Sequence, residues 1–108
     1  MPYVNLRTNV DIKDKPRLLQ TLGELISLLP GKSVARTMVN IQEKSDLCFA
    51  GTTEPCAMIE TLVNPESSME NNKEYCMAVI RAVQQELQLP EKRIYATVAK
   101  VECWCSIK

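Results

Sequence analysis

The stretch PGKSVART, residues 30–37, returns sixty positions later as PEKRIYAT, residues 90–97. Both stretches begin with proline, have lysine third and threonine last, and carry a β-branched residue at the fifth position. Each joins the end of an amphipathic helical pattern to the start of an extended one. We therefore expect two similar β–α–β halves in an α+β fold, with a four-stranded mixed sheet and both helices on one face.

The periodicity around these stretches predicts the individual elements. A leucine stripe at steps of four, three and four predicts a first helix, which Asp11 or Asp14 caps and which ends at about Leu29. A second apolar stripe predicts a helix over 70–88. Strands are expected over 2–8, 34–43, 56–63 and 93–101, with a short final strand over 103–107, a loop over 44–55 and a turn over 64–69.

The strand patterns raise the question of what covers the second face of this sheet. Met38 alternates with Val39, and Met58 alternates with Ile59, so apolar residues point to both faces. Strands that are buried on both faces show this pattern, whereas two helices cover only one face. The sequence therefore predicts an obligate oligomer, in which another copy of the chain covers the open face.

Composition narrows the range of functions. Because 13 basic residues balance 13 acidic ones, no basic stripe indicates a nucleic-acid partner. Five cysteines without a histidine are typical of free thiols in a reducing compartment, rather than of a disulfide framework or a metal site. Neither a signal peptide nor a membrane span is expected. We expect one domain over 1–108 in the cytoplasm, with secretion by a route that needs no leader as the alternative.

Pro2 is the first candidate for chemistry. Methionine before a small residue is normally removed, which would leave proline with a free secondary amine. A free α-amino group titrates near pH ~8, and burial or a nearby cation lowers that value towards neutrality. Such a base suits proton abstraction next to a carbonyl group. The alternative interpretation is that Pro2 only begins a strand.

Two basic residues near the first repeat are candidates for binding an anion. Lys32 follows a tight turn, where it can bind a carboxylate and lower the pKa of the Pro2 amine; a solvated lysine after a helix C-terminus is the alternative. Arg36 can add a forked contact to a carboxylate, or else be an exposed strand arginine. The segment FAGTTEPCA, residues 49–57, is by its own composition a loop of defined shape.

Taken together, these pieces resemble the macrophage migration inhibitory factor and D-dopachrome tautomerase family. The opening MPYVNLRTNV is similar to that family's Met-Pro start, followed by Thr-Asn. Gly31-Lys32 matches its Gly-Lys turn, FAGTTEPCA matches its Glu-Pro-Cys-Ala signature, and the residues Arg93-Ile94-Tyr95 match its Arg-(Val/Ile)-Tyr. The pieces occur in order, at nearly the family's spacing, over about residues 1–105.

The resemblance implies a homotrimer with active sites at subunit boundaries, no cofactor and no metal. It implies that Pro2 is the general base and that Lys32, with Arg36, holds the substrate carboxylate. Asn64 would border the substrate, and Tyr95 with Thr97 would come from the neighbouring chain. The implied reaction is keto–enol tautomerisation of phenylpyruvate-type α-keto acids or dopachrome-type compounds.

Several departures keep alternative functions open. The family's glycine-containing turn after the third strand is replaced by Val63-Asn64-Pro65-Glu66-Ser67, and Pro65 has no N–H to donate to a substrate. This departure favours a cytokine-like signalling or binding protein with weak or no tautomerase activity, for which a cell-surface receptor is the candidate partner. A dehalogenase or hydratase relative is a third hypothesis, although the extra carboxylates and arginines that it needs are not assignable. Ile59 in place of a second cysteine after Cys56 argues against thiol redox activity.

Overall fold

The computed structural model describes residues 1–107 and confirms the fold class. The strands are β1 (Tyr3–Thr8), β2 (Met38–Gln42), β3 (Ala57–Val63) and β4 (Ile94–Lys100), and the helices are α1 (Lys15–Leu25) and α2 (Met69–Leu87). The strand order is β2-β1-β3-β4. Within each half the strands are parallel, while β1 and β3 join the halves in antiparallel pairing. The sheet is therefore mixed, as the repeated pattern predicts.

Both helices pack on the same face of the sheet. Alternate residues of β3, at 57, 59, 61 and 63, are buried beneath them, as period-two alternation requires. The predicted leucine stripe of α1 supplies Leu18 and Leu22 to this core, and α2 supplies Tyr75 together with two valines. Side chains cap both helix starts: Asp14 accepts a hydrogen bond from the Arg17 backbone N–H, and Ser68 accepts one from Asn71.

Three predicted boundaries are wrong, and the position of the neighbouring strand explains two of them. The strand expected over 34–43 begins only at Met38, and Val34–Arg36 forms a 3₁₀ turn. Because Met38 already pairs with the first residue of β1, no strand lies beside 34–37, and the Thr37 N–H bonds back to the Val34 carbonyl instead. Residues 103–107 likewise form no strand, since β3 ends at Val63. The first helix changes to a 3₁₀ turn after Leu25.

The second face of the sheet is uncovered in a single chain and is more polar than the strand pattern predicts. A middle row across it consists of polar residues: Asn40, Asn5, Glu60 and Thr97. Within that row Asn5 is only 7% exposed, and its side-chain oxygen accepts a hydrogen bond from Asn40 at 2.7 Å. Apolar or aromatic side chains flank the row at Tyr3, Met38, Met58, Leu62 and Tyr95. The row that contains Met58 and Tyr95 also contains Arg7 and Gln42, so the face is not a continuous apolar layer.

One buried polar contact inside the core is open to a stability test. The Tyr75 hydroxyl and the Thr61 hydroxyl lie 2.8 Å apart, and neither residue is exposed. Burial raises the pKa of Tyr75 to about 12, so the phenol keeps its proton. We expect Tyr75→Phe to lower the free energy of unfolding by roughly 1–3 kcal/mol, because Thr61 loses its buried partner. Urea unfolding at one fixed protein concentration measures this change.

The matched control is the double variant Tyr75→Phe with Thr61→Val. Because it removes both polar partners while keeping their shapes, we expect it to recover most of the lost stability. A double variant whose destabilisation equals the sum of the two single changes would contradict the assigned hydrogen bond.

Candidate functional site

A cavity of about 450 Å³ lies at the amino end of β1. Strands β1 and β2, the 3₁₀ turn before β2 and the chain's last described residues form its walls. The lining residues are Met1, Pro2, Tyr3, Ala35, Arg36, Met38, Trp104, Cys105 and Ser106. Of the residues that the sequence singles out for chemistry, the cavity therefore brings Pro2 and Arg36 together.

The strand ladder fixes the position of Pro2. Its carbonyl accepts a hydrogen bond from the Met38 N–H at 3.1 Å, which extends the β1–β2 pairing by one residue. Proline has no N–H to contribute, and at the start of a strand none is needed. Pro2 is buried, although it lies on the cavity wall. The atom that would become the free amine after removal of Met1 is thus held in place by the backbone of two strands.

The surroundings favour the uncharged form of an amine at this end of the chain. The Met1 amine lies 3.5 Å from the Asn64 carbonyl oxygen. Its pKa is lowered, first by desolvation and then by the positive charges of Lys32 and Arg36. These effects apply to the Met1 amine, and the two charges that contribute to them belong to side chains that remain when Met1 is removed.

Lys32 lies behind the cavity wall and does not line the cavity. Lys32 follows Gly31, whose φ of +79° allows the tight turn that comes after α1. Lys32 is 9% exposed, and its ammonium donates to the Pro65 carbonyl at 2.8 Å. The turn that differs from the family pattern thus binds the lysine. Arg36, which is exposed, is the cation that faces the cavity.

Asn64 connects this turn to both ends of the chain. Its carbonyl oxygen is the partner of the Met1 amine, and its side-chain amide donates to the Glu102 carbonyl at 3.2 Å. Asn64 does not line the cavity. Within one chain it contacts Met1, which lines the cavity, and Glu102, which lies near the lining residue Trp104.

Tyr95 and Thr97 lie elsewhere in the same chain. Tyr95 pairs in register with Met58 and through it with Arg7, four residues along β1 from Tyr3. This offset corresponds to roughly 13 Å along the sheet and about 10 Å across it. The ring of Tyr95 lines a different cavity of about 350 Å³, and Thr97 a third. One chain alone therefore does not bring them to Pro2.

The segment FAGTTEPCA is held by two side chains that the sequence singles out separately. The Arg93 guanidinium donates to the carbonyls of Phe49, Thr52, Glu54 and Pro55 at 2.9–3.2 Å. From the other side, the Asn9 amide donates to Thr53 and Glu54, and its oxygen accepts from the Cys56 N–H. The Thr-Asn, Glu-Pro-Cys-Ala and Arg-Ile-Tyr motifs are thus parts of one hydrogen-bonded unit.

The sequence interpretation misses the contribution of the chain's last residues to the cavity. Trp104 bends this tail, because its indole N–H donates to the Val101 carbonyl at 2.9 Å. The signal in the sequence was the single tryptophan directly after the last strand. Within residues 1–107 no group of three His, Cys, Asp or Glu side chains is arranged to hold a metal ion, and all five cysteines are free. No helix in that range has the length and apolarity to cross a membrane.

The electrostatic arrangement predicts a direction of change for the N-terminal amine. Lys32→Met should raise the pKa of that amine, because it removes a nearby positive charge, and Arg36→Met should act in the same direction. The pH dependence of acylation of the N-terminus measures this pKa. Lys92→Met, at the opposite end of the sheet, is the control and should leave it unchanged. An equal change in all three variants would contradict the assignment.

Comparison with known proteins shows which proteins this chain is similar to in sequence and fold. The sequence family described as macrophage migration inhibitory factor (MIF) matches residues 1–107. D-dopachrome decarboxylase-B of Xenopus laevis is 26% identical over 106 residues, which cover 96% of this chain and 90% of that protein. The crystal structure of a macrophage migration inhibitory factor homologue from Prochlorococcus marinus is 28% identical, covers 89% of this chain and 85% of its own, and superimposes with a TM-score of 0.81.

A second structure, that of a protein inactivated by 2-oxo-3-pentynoate, shares the fold at a TM-score of 0.80 and 16% identity, over 92% of this chain and 85% of its own. The family match extends over almost the whole chain and includes every motif of the hydrogen-bonded unit described above. This chain belongs to the macrophage migration inhibitory factor family.

Proposed function

We propose that this protein is a keto–enol tautomerase whose general base is the amine of Pro2, freed by removal of Met1. The observation that carries the proposal is the position of Pro2. It is buried and fixed by the β1–β2 ladder, it lines a cavity beside Arg36, and it directly follows Met1, whose terminal amine has a lowered pKa. The proposed substrates are small aromatic α-keto acids of the phenylpyruvate type, or dopachrome-type compounds.

The chemistry requires one group that both accepts and returns a proton. The neutral Pro2 amine would take a proton from the carbon next to the substrate's carbonyl, so that a C–H bond breaks and an N–H bond forms. The electron pair moves onto the carbonyl oxygen, and the protonated amine then gives its proton to that oxygen. A base with a pKa near the working pH serves both steps.

Arg36 is the group best suited to hold the carboxylate of such a substrate. Arg36 lines the cavity, and a guanidinium has paired donors that match the two oxygens of a carboxylate. Lys32 donates to Pro65 and lies outside the lining, so we assign it the electrostatic role of keeping the amine neutral. The other residues that line the cavity include Met38 and Trp104, which offer apolar surface to an aromatic ring.

We further propose that the working form is a homotrimer. Support comes from the uncovered sheet face, where Tyr3, Met38, Met58 and Leu62 lack a partner layer within the chain. It also comes from Tyr95 and Thr97, which are too far from Pro2 to act in the same chain. A neighbouring copy would supply these two side chains to the substrate.

A cytokine-like binding protein with little or no catalysis is the second candidate. The turn at 64–67 favours it, because Pro65 offers a substrate no N–H and its carbonyl occupies the ammonium of Lys32. In that case a cell-surface receptor would bind the assembled protein, and the amine of Pro2 would have no chemical task.

Replacement of the base distinguishes the two candidates. We expect Pro2→Gly to lower kcat/KM for phenylpyruvate tautomerisation by about 100-fold or more, the usual contribution of a positioned general base. Pro16→Ala, an exposed proline in the first turn of α1, is the control and should retain full activity. Intact mass shows whether Met1 is absent from each variant. Unchanged turnover in Pro2→Gly would exclude the mechanism, and an inactive parent that still binds cells would select the second candidate.

Covalent labelling tests the same amine independently. 2-oxo-3-pentynoate, the compound that inactivates a protein of this fold, should add once per chain to the N-terminal peptide of the parent protein. The Pro2→Gly variant should be labelled much more slowly. Peptide mass spectrometry locates the adduct, and modification of cysteines alone would count against Pro2 as the nucleophilic amine.

The assembly is tested by sedimentation at micromolar concentration. We expect a species of three times the 12.2 kDa chain mass. Met38→Lys, which places a charge on the uncovered face, should shift the protein towards smaller species. A parent protein that sediments as a stable single chain would rule out the trimer.

A further inference from the structure

The ring of Tyr95 is supported from one side only. The side chain is 63% exposed on the uncovered face of the sheet. Its one aromatic neighbour is Phe49, whose ring centroid lies 4.9 Å away at an interplanar angle of 59°. This tilted arrangement is a favourable geometry for two aromatic rings.

Phe49 is held in turn by Arg93. The guanidinium carbon lies 5.2 Å from the centre of the Phe49 ring, within the range of a cation–π contact. The same guanidinium donates to the Phe49 carbonyl and to three further carbonyls of the loop. Five donors in a rigid plane allow one arginine to make all these contacts, which a lysine cannot do.

We propose that Phe49 and Arg93 are positioning residues, which fix the Tyr95 ring in the orientation that a neighbouring copy's substrate site uses. This inference rests on the proposed function, in which Tyr95 contacts the substrate across a subunit boundary. An exposed aromatic side chain without such support would have to be immobilised when substrate binds, and that cost would weaken binding. Because the Tyr95 ring already packs against Phe49 in the folded chain, it loses less conformational freedom when substrate binds.

The loop geometry separates positioning from folding. The backbone of Phe49 exchanges hydrogen bonds with Thr52 in both directions, and these do not depend on the side chain at position 49. Asn9 holds the far part of the loop independently, through Thr53, Glu54 and Cys56. Removal of the aromatic ring therefore leaves the loop attached at both sides, and the contacts that it takes away are those of the ring with Tyr95 and Arg93.

The test compares Phe49→Leu with Phe49→Tyr. We expect Phe49→Leu to raise KM for an aromatic α-keto acid by about threefold to tenfold, the effect of losing one aromatic contact, with little change in kcat. Phe49→Tyr keeps the ring and should restore KM. In a Tyr95→Ala background, Phe49→Leu should have no further effect, because the ring it positions is absent. The proposal would be overturned if Phe49→Leu raised KM equally with and without Tyr95, or if Phe49→Tyr raised KM as much as Phe49→Leu.

A second measurement does not require activity and so separates this inference from the proposed function. The near-ultraviolet circular dichroism of the parent minus that of Tyr95→Ala gives the signal of an ordered Tyr95 ring. We expect this Tyr95 signal to disappear when the same pair of spectra is recorded in the Phe49→Leu background, and to persist in the Phe49→Tyr background. If Phe49→Leu loses the signal and the parent protein has no tautomerase activity, the positioning role is supported and the tautomerase is refuted. A signal unchanged in Phe49→Leu would refute the positioning role, whatever the activity.

Discussion

The pairing of β1 on both sides is the constraint on which the rest of the molecule depends. This strand is parallel to β2 and antiparallel to β3, so it joins the two halves into one sheet. Its alternate residues Val4, Leu6 and Thr8 are fully buried under the helices, whereas Asn5 points to the other face. Because the register of β1 is fixed by both neighbours, the position of Pro2 just before it is fixed as well.

Much of the fold was predictable because it follows from local periodicity. The leucine stripe of α1 and the alternation in β3 identify their elements without knowledge of the remainder of the chain. The boundaries at 34–37 and 103–107 were not predictable in this way. Both segments have the composition of strands, but whether a strand forms depends on a neighbour. β1 has not yet begun beside 34–37, and β3 has ended before 103–107. Pairing partners are a property of the tertiary structure, so local composition misleads there.

The candidate site was predictable in part. Pro2 and Arg36 lie on one cavity, and Lys32 lies close enough to lower the pKa of the terminal amine. The sequence alone did not indicate that residues 104–106 line the cavity. Nor could it show that the motifs at Asn9 and Arg93 act on one loop, since their partners are backbone groups, which have no sequence signature. The chemical roles predicted for the site residues all remain predictions: Pro2, Lys32, Arg36, Asn64, Tyr95 and Thr97.

The altered turn at 64–67 and the environment of Lys32 are best understood together. Pro65 removes an N–H from the turn, yet its carbonyl provides a partner for an ammonium that is only 9% exposed. A buried ammonium without such a partner would be costly, so the turn stabilises the charge where it can still act on the terminal amine. Under the proposed function, recognition of a carboxylate then falls to Arg36, whose planar guanidinium can donate two hydrogen bonds to its two oxygens. Under the proposed function, the departure from the family pattern moves substrate recognition from the turn to the arginine and leaves the electrostatic tuning of the base intact.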